Sequence, residues 1–169
     1  LLTGDHRKIW KLFCENFHLF RGTPSGIWLT HELSEVFGVD EKPSASNSDR
    51  LFDSVSDKLS SPDFSPRKLF ERFNIEVLCT TDAATDTLEH HQAIKDSGWK
   101  GNIRPTFRPD GVVNLDAPGW RSNIDALSAL SGIHVHNYAT FIQALENRRA
   151  FFKSMSATAT DHAALTPYT

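Results

Sequence analysis

The stretch IEVLCTTDAATDTLEHH, Ile75 to His91, decides how this chain folds. It opens with Ile75-Glu76-Val77-Leu78-Cys79, a run too short for a helix and rich in strand formers. That composition predicts a buried β-strand whose end carries the polar pair Thr81 and Asp82. Asp86-Thr87-Leu88-Glu89 has the form of a capping box, which predicts a helix opening there and stopping at Gly98. Past that helix, GNIRPTFRPDG (Gly101 to Gly111) predicts a second strand, closed by Pro109 and Gly111. Ile124, Leu127 and Leu130 mark another helix, and Asn137 caps a longer one through Phe141, Ile142, Leu145 and Phe152. MSATATDH, Met155 to His162, then reads as a third strand of small residues.

Strand, helix, strand, helix, strand is the order of a parallel sheet with right-handed crossovers. Each predicted strand finishes in chemistry: Thr81 and Asp82, then Arg108 and Asp110, then Asp161 and His162. In parallel α/β folds the carboxyl ends of the strands share one functional rim, so these groups are expected to meet. Any one of them alone could be a helix cap or an ion pair. Asp86, Glu89, His90 and His91 read as capping and surface or interface groups.

Upstream of Ile75 the period is helical. Ile9, Leu12, Phe13, Phe17 and Phe20 share one predicted buried face. Thr23-Pro24 gives a cap and a first-turn proline for a helix bearing Trp28, Leu29, Leu33, Val36 and Phe37, which Gly38 stops. Asp40 to Asp49 is a polar linker. Leu51, Phe52, Val55 and Leu59 form a third helix ending near Pro62. Ser65-Pro66 opens a fourth with Leu69, Phe70 and Phe73, closed by Asn74. The expected organisation is a helical subdomain over residues 1–74 and an α/β segment over 75–169.

Composition narrows the classes of function. The 169 residues are 39% hydrophobic and 23% charged, with a formal net charge of -3, as expected of one globular unit or two small ones. The slightly acidic balance favours neither a nucleic-acid nor a membrane partner, and no apolar stretch approaches the roughly 18 residues of a spanning helix. Cys14 and Cys79 lie in apolar patterns and are expected to be buried free thiols, with the cytoplasm as the default compartment. Met155 is the one methionine and the chain opens Leu1-Leu2-Thr3, so we expect an internal segment of a longer protein.

Five runs carry a resemblance: FRGTPSGIWLTHELSEVFGV (Phe20 to Val39), RKLFERFNIEVLCTTDAATDTLEHH (Arg67 to His91), FRPD, ENRRAFF and ATATDHAA. In this order, and over nearly the whole chain, they resemble the uronate (glucuronate) isomerase family of the amidohydrolase superfamily. The resemblance implies a (β/α)₈ barrel with a helical insertion after its first strand. On that mapping residues 1–74 match most of the insertion, and the three strands here match the second to fourth barrel strands. It implies interconversion of D-glucuronate with D-fructuronate, and of D-galacturonate with D-tagaturonate, by moving a proton between C2 and C1 through an enediol.

The same resemblance assigns roles. Arg108 of the RPD motif matches the arginine facing the sugar acid, and a guanidinium suits bidentate carboxylate recognition. Asp82, Asp110, Asp161 and His162 match supporting positions at the barrel rim. Zinc or another divalent metal is implied for the complete enzyme, but its His-x-His belongs to the first strand and a further carboxylate to the last. No metal ligand is therefore expected within this segment. His134 and His136 in IHVHN form a His-x-His, yet they precede the Asn137 cap in a loop between helices and are not expected to bind metal. His6 in GDHRK is likewise a poor match to a site histidine. Hexuronates are the implied partners, with self-association through open sheet edges as a further possibility. A different amidohydrolase-type metal-dependent hydrolase, or a truncated non-enzymatic paralogue, are the alternatives.

Overall fold

The computed structural model describes residues 4–163, so the Leu1-Leu2-Thr3 start and Ala164 of the last matched run lie outside the described residues. The chain divides between Phe73 and Asn74 into two compact units.

The first unit is helical. Helix α1 (His6–Glu15) starts at Asp5, whose carboxylate accepts from the Lys8 amide, and passes into a 3-10 turn at Phe17–Phe20. Its buried face is turned from the expected stripe. Cys14 and Phe17 are buried, whereas Ile9 and Leu12 remain exposed. Trp10 packs with Leu33, Val39 and Leu51, and its indole N–H donates to the Ser48 carbonyl at 2.9 Å. Helix α2 (Pro24–His31) begins as the sequence predicts, the Thr23 hydroxyl accepting from the Gly26 amide at 3.1 Å. It widens into a π-helical turn at Glu32–Val36.

Gly38 then stops this helix with φ +60°, a left-handed conformation that glycine adopts without a side-chain clash. The Gly38 amide donates to Ser34 and the Val39 amide to Leu33, each one residue longer in reach than in a Schellman closure, as the π turn requires. After the Asp40–Asn47 loop come α3 (Ser48–Leu59), a 3-10 turn at Pro62–Phe64 and α4 (Pro66–Arg72). Asn74 closes α4 at φ 50°.

The second unit is built on a parallel strand pair. Strands β1 (Leu78–Cys79) and β2 (Asp82–Ala83) lie beside β3 (Ile103–Arg104) and β4 (Phe107–Arg108), in register Leu78 with Ile103 and Ala83 with Arg108. The amides of Leu78, Thr80, Asp82 and Ala84 donate to the carbonyls of Asn102, Arg104, Thr106 and Arg108, each at 3.0 Å. This is one ladder interrupted at its centre, where the Thr106 amide turns to the Asp82 carboxylate instead.

Three expectations are corrected here. The run Ile75–Cys79 is not a buried strand: β1 begins at Leu78, and Val77, Leu78 and Cys79 are exposed, since no described residues cover them. Only Cys14 of the two thiols is buried. The capping box does not form. Leu88 is 1% exposed and swings into the core through a left-handed turn at φ 55°, so α5 (Glu89–Asp96) starts after it and Asp86 accepts from the Leu88 amide at 2.6 Å.

The third strand shrinks to a single bridge, Phe107 with Thr160. The Phe107 amide donates to Ala159 and the Asp161 amide to Phe107. Two residues back on the same edge stands Pro105, which has no N–H to extend the pairing. Helices α6 (Asp110–Val113), α7 (Trp120–Ser131) and α8 (Tyr138–Ser154) complete the unit. Asn137 caps α8 in a reciprocal box with Thr140. The core gathers Leu88, Phe107, Val112, Ile124, Leu127, Ala144 and Phe152, with the Phe107 and Phe152 rings edge to face at 5.1 Å.

Candidate functional site

Where β4 ends, Arg108 projects from the face opposite the core, because its neighbour Phe107 points inward and side chains alternate along a strand. The Phe107–Thr160 bridge sets Asp161 directly beside it. The Arg108 guanidinium donates through Nη2 to Asp161 Oδ2 in a tight ion pair, and the Thr81 hydroxyl reaches the same oxygen at 3.4 Å. Both partners are about one-third exposed, so water still screens the pair. Arg108 holds the Asp161 carboxyl below the usual carboxylate range, with the Thr81 hydroxyl and the His162 amide adding to the effect.

Asp110 stands on the other flank, its Oδ2 3.8 Å from Arg108 Nε. Both of those atoms are buried without a hydrogen-bond partner among the described residues. The Asp110 carboxylate is fixed by its second oxygen, which accepts from the Ala163 amide at 2.8 Å, and His162 Nδ1 lies 3.9 Å from Oδ2. Four of the five expected site residues (Arg108, Asp110, Asp161 and His162) therefore share one cluster. Arg108 Nε is thus an enclosed donor facing Asp110, while the side chain as a whole stays about one-third exposed at the strand end.

Asp82 does not share that cluster. Its strand neighbour Ala83 is the register partner of Arg108, so Asp82 projects to the opposite face. There Asp82 Oδ2 accepts from the Thr80 hydroxyl at 2.7 Å and from the Thr106 amide at 3.3 Å. His91 Nε2 lies 2.8 Å from the same Thr80 oxygen and 3.9 Å from Asp82. The His91 side chain is 11% exposed, so it is not the surface group the sequence predicts, whereas Glu89 and His90 are exposed. Its inward direction had a signal, since His91 falls three residues after Leu88 and three before Ile94, on the apolar side of α5.

Arg148 was also missed. It is 5% exposed on α8, and its guanidinium donates to the carbonyls of Ala84 at 3.0 Å and Asp86 at 2.7 Å. Burial pulls its pKa down, against the opposing effect of Asp86. Ala144, Arg148 and Phe152 follow each other at intervals of four, so spacing alone puts Arg148 on the buried stripe.

The donor set does not make a metal site. Among the described residues no three His, Cys, Asp or Glu side chains gather to hold an ion, and between Asp110 and Asp161 stands the cationic Arg108. His136 is committed elsewhere: its Nδ1 faces the His134 carbonyl at 3.0 Å and must donate, which leaves Nε2 to accept from the Asn137 side-chain Nδ2 at 3.2 Å. No helix among the described residues is long and apolar enough to cross a membrane.

Comparison with known proteins agrees with the motifs. The glucuronate isomerase family model, UxaC, matches residues 1–169. A uronate isomerase of Nostoc punctiforme is 61% identical over 165 residues, 98% of this chain and 35% of the relative. One of Rhizobium meliloti is 51% identical over 158 residues, 94% of this chain and 34% of the relative. Among solved structures, the glucuronate isomerase of Caulobacter crescentus superposes with a TM-score of 0.90 at 40% identity, covering 94% of this chain and 33% of that one. The uronate isomerase of Thermotoga maritima gives 0.86 at 30% identity, covering 94% and 35%. The chain spans about a third of the length of the curated relatives it matches. With motif order, strand-end geometry and a family match along residues 1–169 all in agreement, the chain belongs to the glucuronate isomerase family.

Proposed function

We propose that this chain works as part of a uronate isomerase of the relatives' length, converting D-glucuronate to D-fructuronate and D-galacturonate to D-tagaturonate. Arg108 is the substrate-facing residue: its guanidinium receives the hexuronate carboxylate, with Asp161 and Asp110 holding it from two sides and His162 beside Asp110. One observation carries this reading. Consecutive strand ends bring Arg108 and Asp161 into contact and leave the Arg108 side chain about one-third exposed there.

The partial-barrel reading, with residues 1–74 as an inserted helical subdomain and 75–169 as the second to fourth strands, has three supports. The strands pair in parallel. The apolar residues Val77 and Leu78 are exposed. An open groove of about 550 Å³ runs between α8 and residues 157–160, lined by Phe107, Phe152, Ala157 and Glu146 among others. These are surfaces that neighbouring barrel strands and helices would cover.

A divalent metal, zinc in our reading, would supply Lewis-acid charge in the complete enzyme. The described residues do not form its site, so we derive no step through it. The chain by itself is expected to show no turnover. The test is to supply the enzyme carrying this segment with D-glucuronate and to follow ketose formation. Ketose supports the reading; cleavage of a lactone or amide with no ketose, or a defined oligomer that binds no hexuronate, overturns it.

A further inference from the structure

We propose that Thr80 and His91 are positioning residues for the Arg108 cluster, acting through the sheet from the face opposite it. The inference rests on the reading of Arg108 as the hexuronate contact. It begins with the break in the ladder. In a regular parallel register the Thr106 amide would donate to the Thr80 carbonyl. Here it donates to Asp82 Oδ2 at 3.3 Å, so a side chain stands in for a backbone bond at the centre of the strand pair.

That side chain is itself held. The Thr80 hydroxyl is 2.7 Å from Asp82 Oδ2 and 3.3 Å from the Arg104 carbonyl. It has one proton, and the nearer, anionic carboxylate takes it. Towards His91 Nε2, at 2.8 Å, the hydroxyl oxygen can then only accept, which assigns the ring proton to Nε2. The result is a directional chain from His91 to Thr80 to Asp82, with the Thr106 amide converging on the same carboxylate. It ties α5 to both halves of the strand pair at the point where backbone pairing fails.

Alternation supplies the consequence. Thr81 lies between Thr80 and Asp82, and it is the residue that reaches Asp161 from this strand, at 3.4 Å. Arg108 lies two residues beyond Thr106. The polar chain on the rear face therefore fixes the backbone on which Thr81 and Arg108 stand. Losing the Thr80 hydroxyl loosens the Asp82 carboxylate that holds the Thr106 amide, and Arg108 loses its fixed approach to the hexuronate carboxylate.

The experiment compares Thr80→Val, Thr80→Ser, His91→Leu and His91→Gln with Arg108→Lys in the enzyme carrying this segment, measuring KM and kcat for D-glucuronate. Thr80→Val keeps the shape and removes the hydrogen bond; Ser and Gln retain a donor. The expected result is a KM raised about tenfold by Thr80→Val and by His91→Leu, the size of one lost hydrogen bond in a network, with kcat changing less than KM. Thr80→Ser and His91→Gln should return KM to within about threefold of the parent value. If Thr80→Val fails to fold, the His91 pair gives the same reading. Wild-type KM in Thr80→Val and His91→Leu, or equal damage by Val and Ser, overturns the proposal while Arg108→Lys is still impaired. An unimpaired Arg108→Lys instead removes the reading of Arg108 on which it rests.

Discussion

Replacing Arg148 by methionine removes the cation that holds the turn between β2 and α5. Arg148 is 5% exposed and its guanidinium bonds the buried Ala84 carbonyl and the part-buried Asp86 carbonyl, so methionine fills much of its volume and takes the donor from both. An unsatisfied buried acceptor costs about 1–3 kcal/mol, while relief of the desolvated charge returns part of that, leaving a net loss of about 2–4 kcal/mol. Arg148→Lys keeps a charge but not the fork, and should lose about half as much. Amide exchange of the purified chain reads the effect locally. The Leu88 amide, which donates to Asp86 Oδ1, and the Gln92 amide, which donates to the Leu88 carbonyl, should exchange about 30- to 1000-fold faster in Arg148→Met. Exchange at both positions within about threefold of the parent protein would refute the reasoning.

Other perturbations have definite signs. Gly38→Ala should destabilise the helical unit by about 1–2 kcal/mol in urea unfolding, because φ +60° disfavours a side chain and the new Cβ would stand 3.0 Å from Lys58 Nζ. The Arg108–Asp161 pair should respond to acid alone. Its carboxyl is held below its ordinary value of 3.8, so the pair contributes fully above that value and is lost as pH falls through the lowered one. The stability difference between the parent chain and Asp161→Asn should thus stay constant from about pH 8 to 5 and vanish in strong acid. The double variant His134→Ala with His136→Ala should leave the metal content of the complete enzyme unchanged, as measured by elemental analysis.

Much of this chain was legible because local chemistry and tertiary packing agree at its helix ends. Thr23, Gly38, Asn74 and Asn137 do there what their residue types favour. The direction of the strands was legible from element order. What the sequence could not fix was the face. Asp82 outranks Thr81 as a site residue by charge, yet the register with Phe107 and Arg108 sends Asp82 backwards and gives Thr81 to the cluster. Pro105 likewise limits the third strand through a missing donor on one edge, an effect visible only once the neighbours of that edge are known. Asp86 and Glu89 failed as a capping box because burying Leu88 outweighed the local preference. Arg148 and His91 were hidden by their polarity, although their spacing already set both on buried sides of helices.

The most direct measurement is a structure of the complete isomerase, carrying this segment, with D-glucuronate bound. A sugar carboxylate oxygen should lie within about 3 Å of the Arg108 guanidinium, with Asp161 still at Nη2. A carboxylate bound elsewhere, with the Arg108 guanidinium paired to Asp161 as now and no substrate oxygen near it, would contradict the proposed role of Arg108.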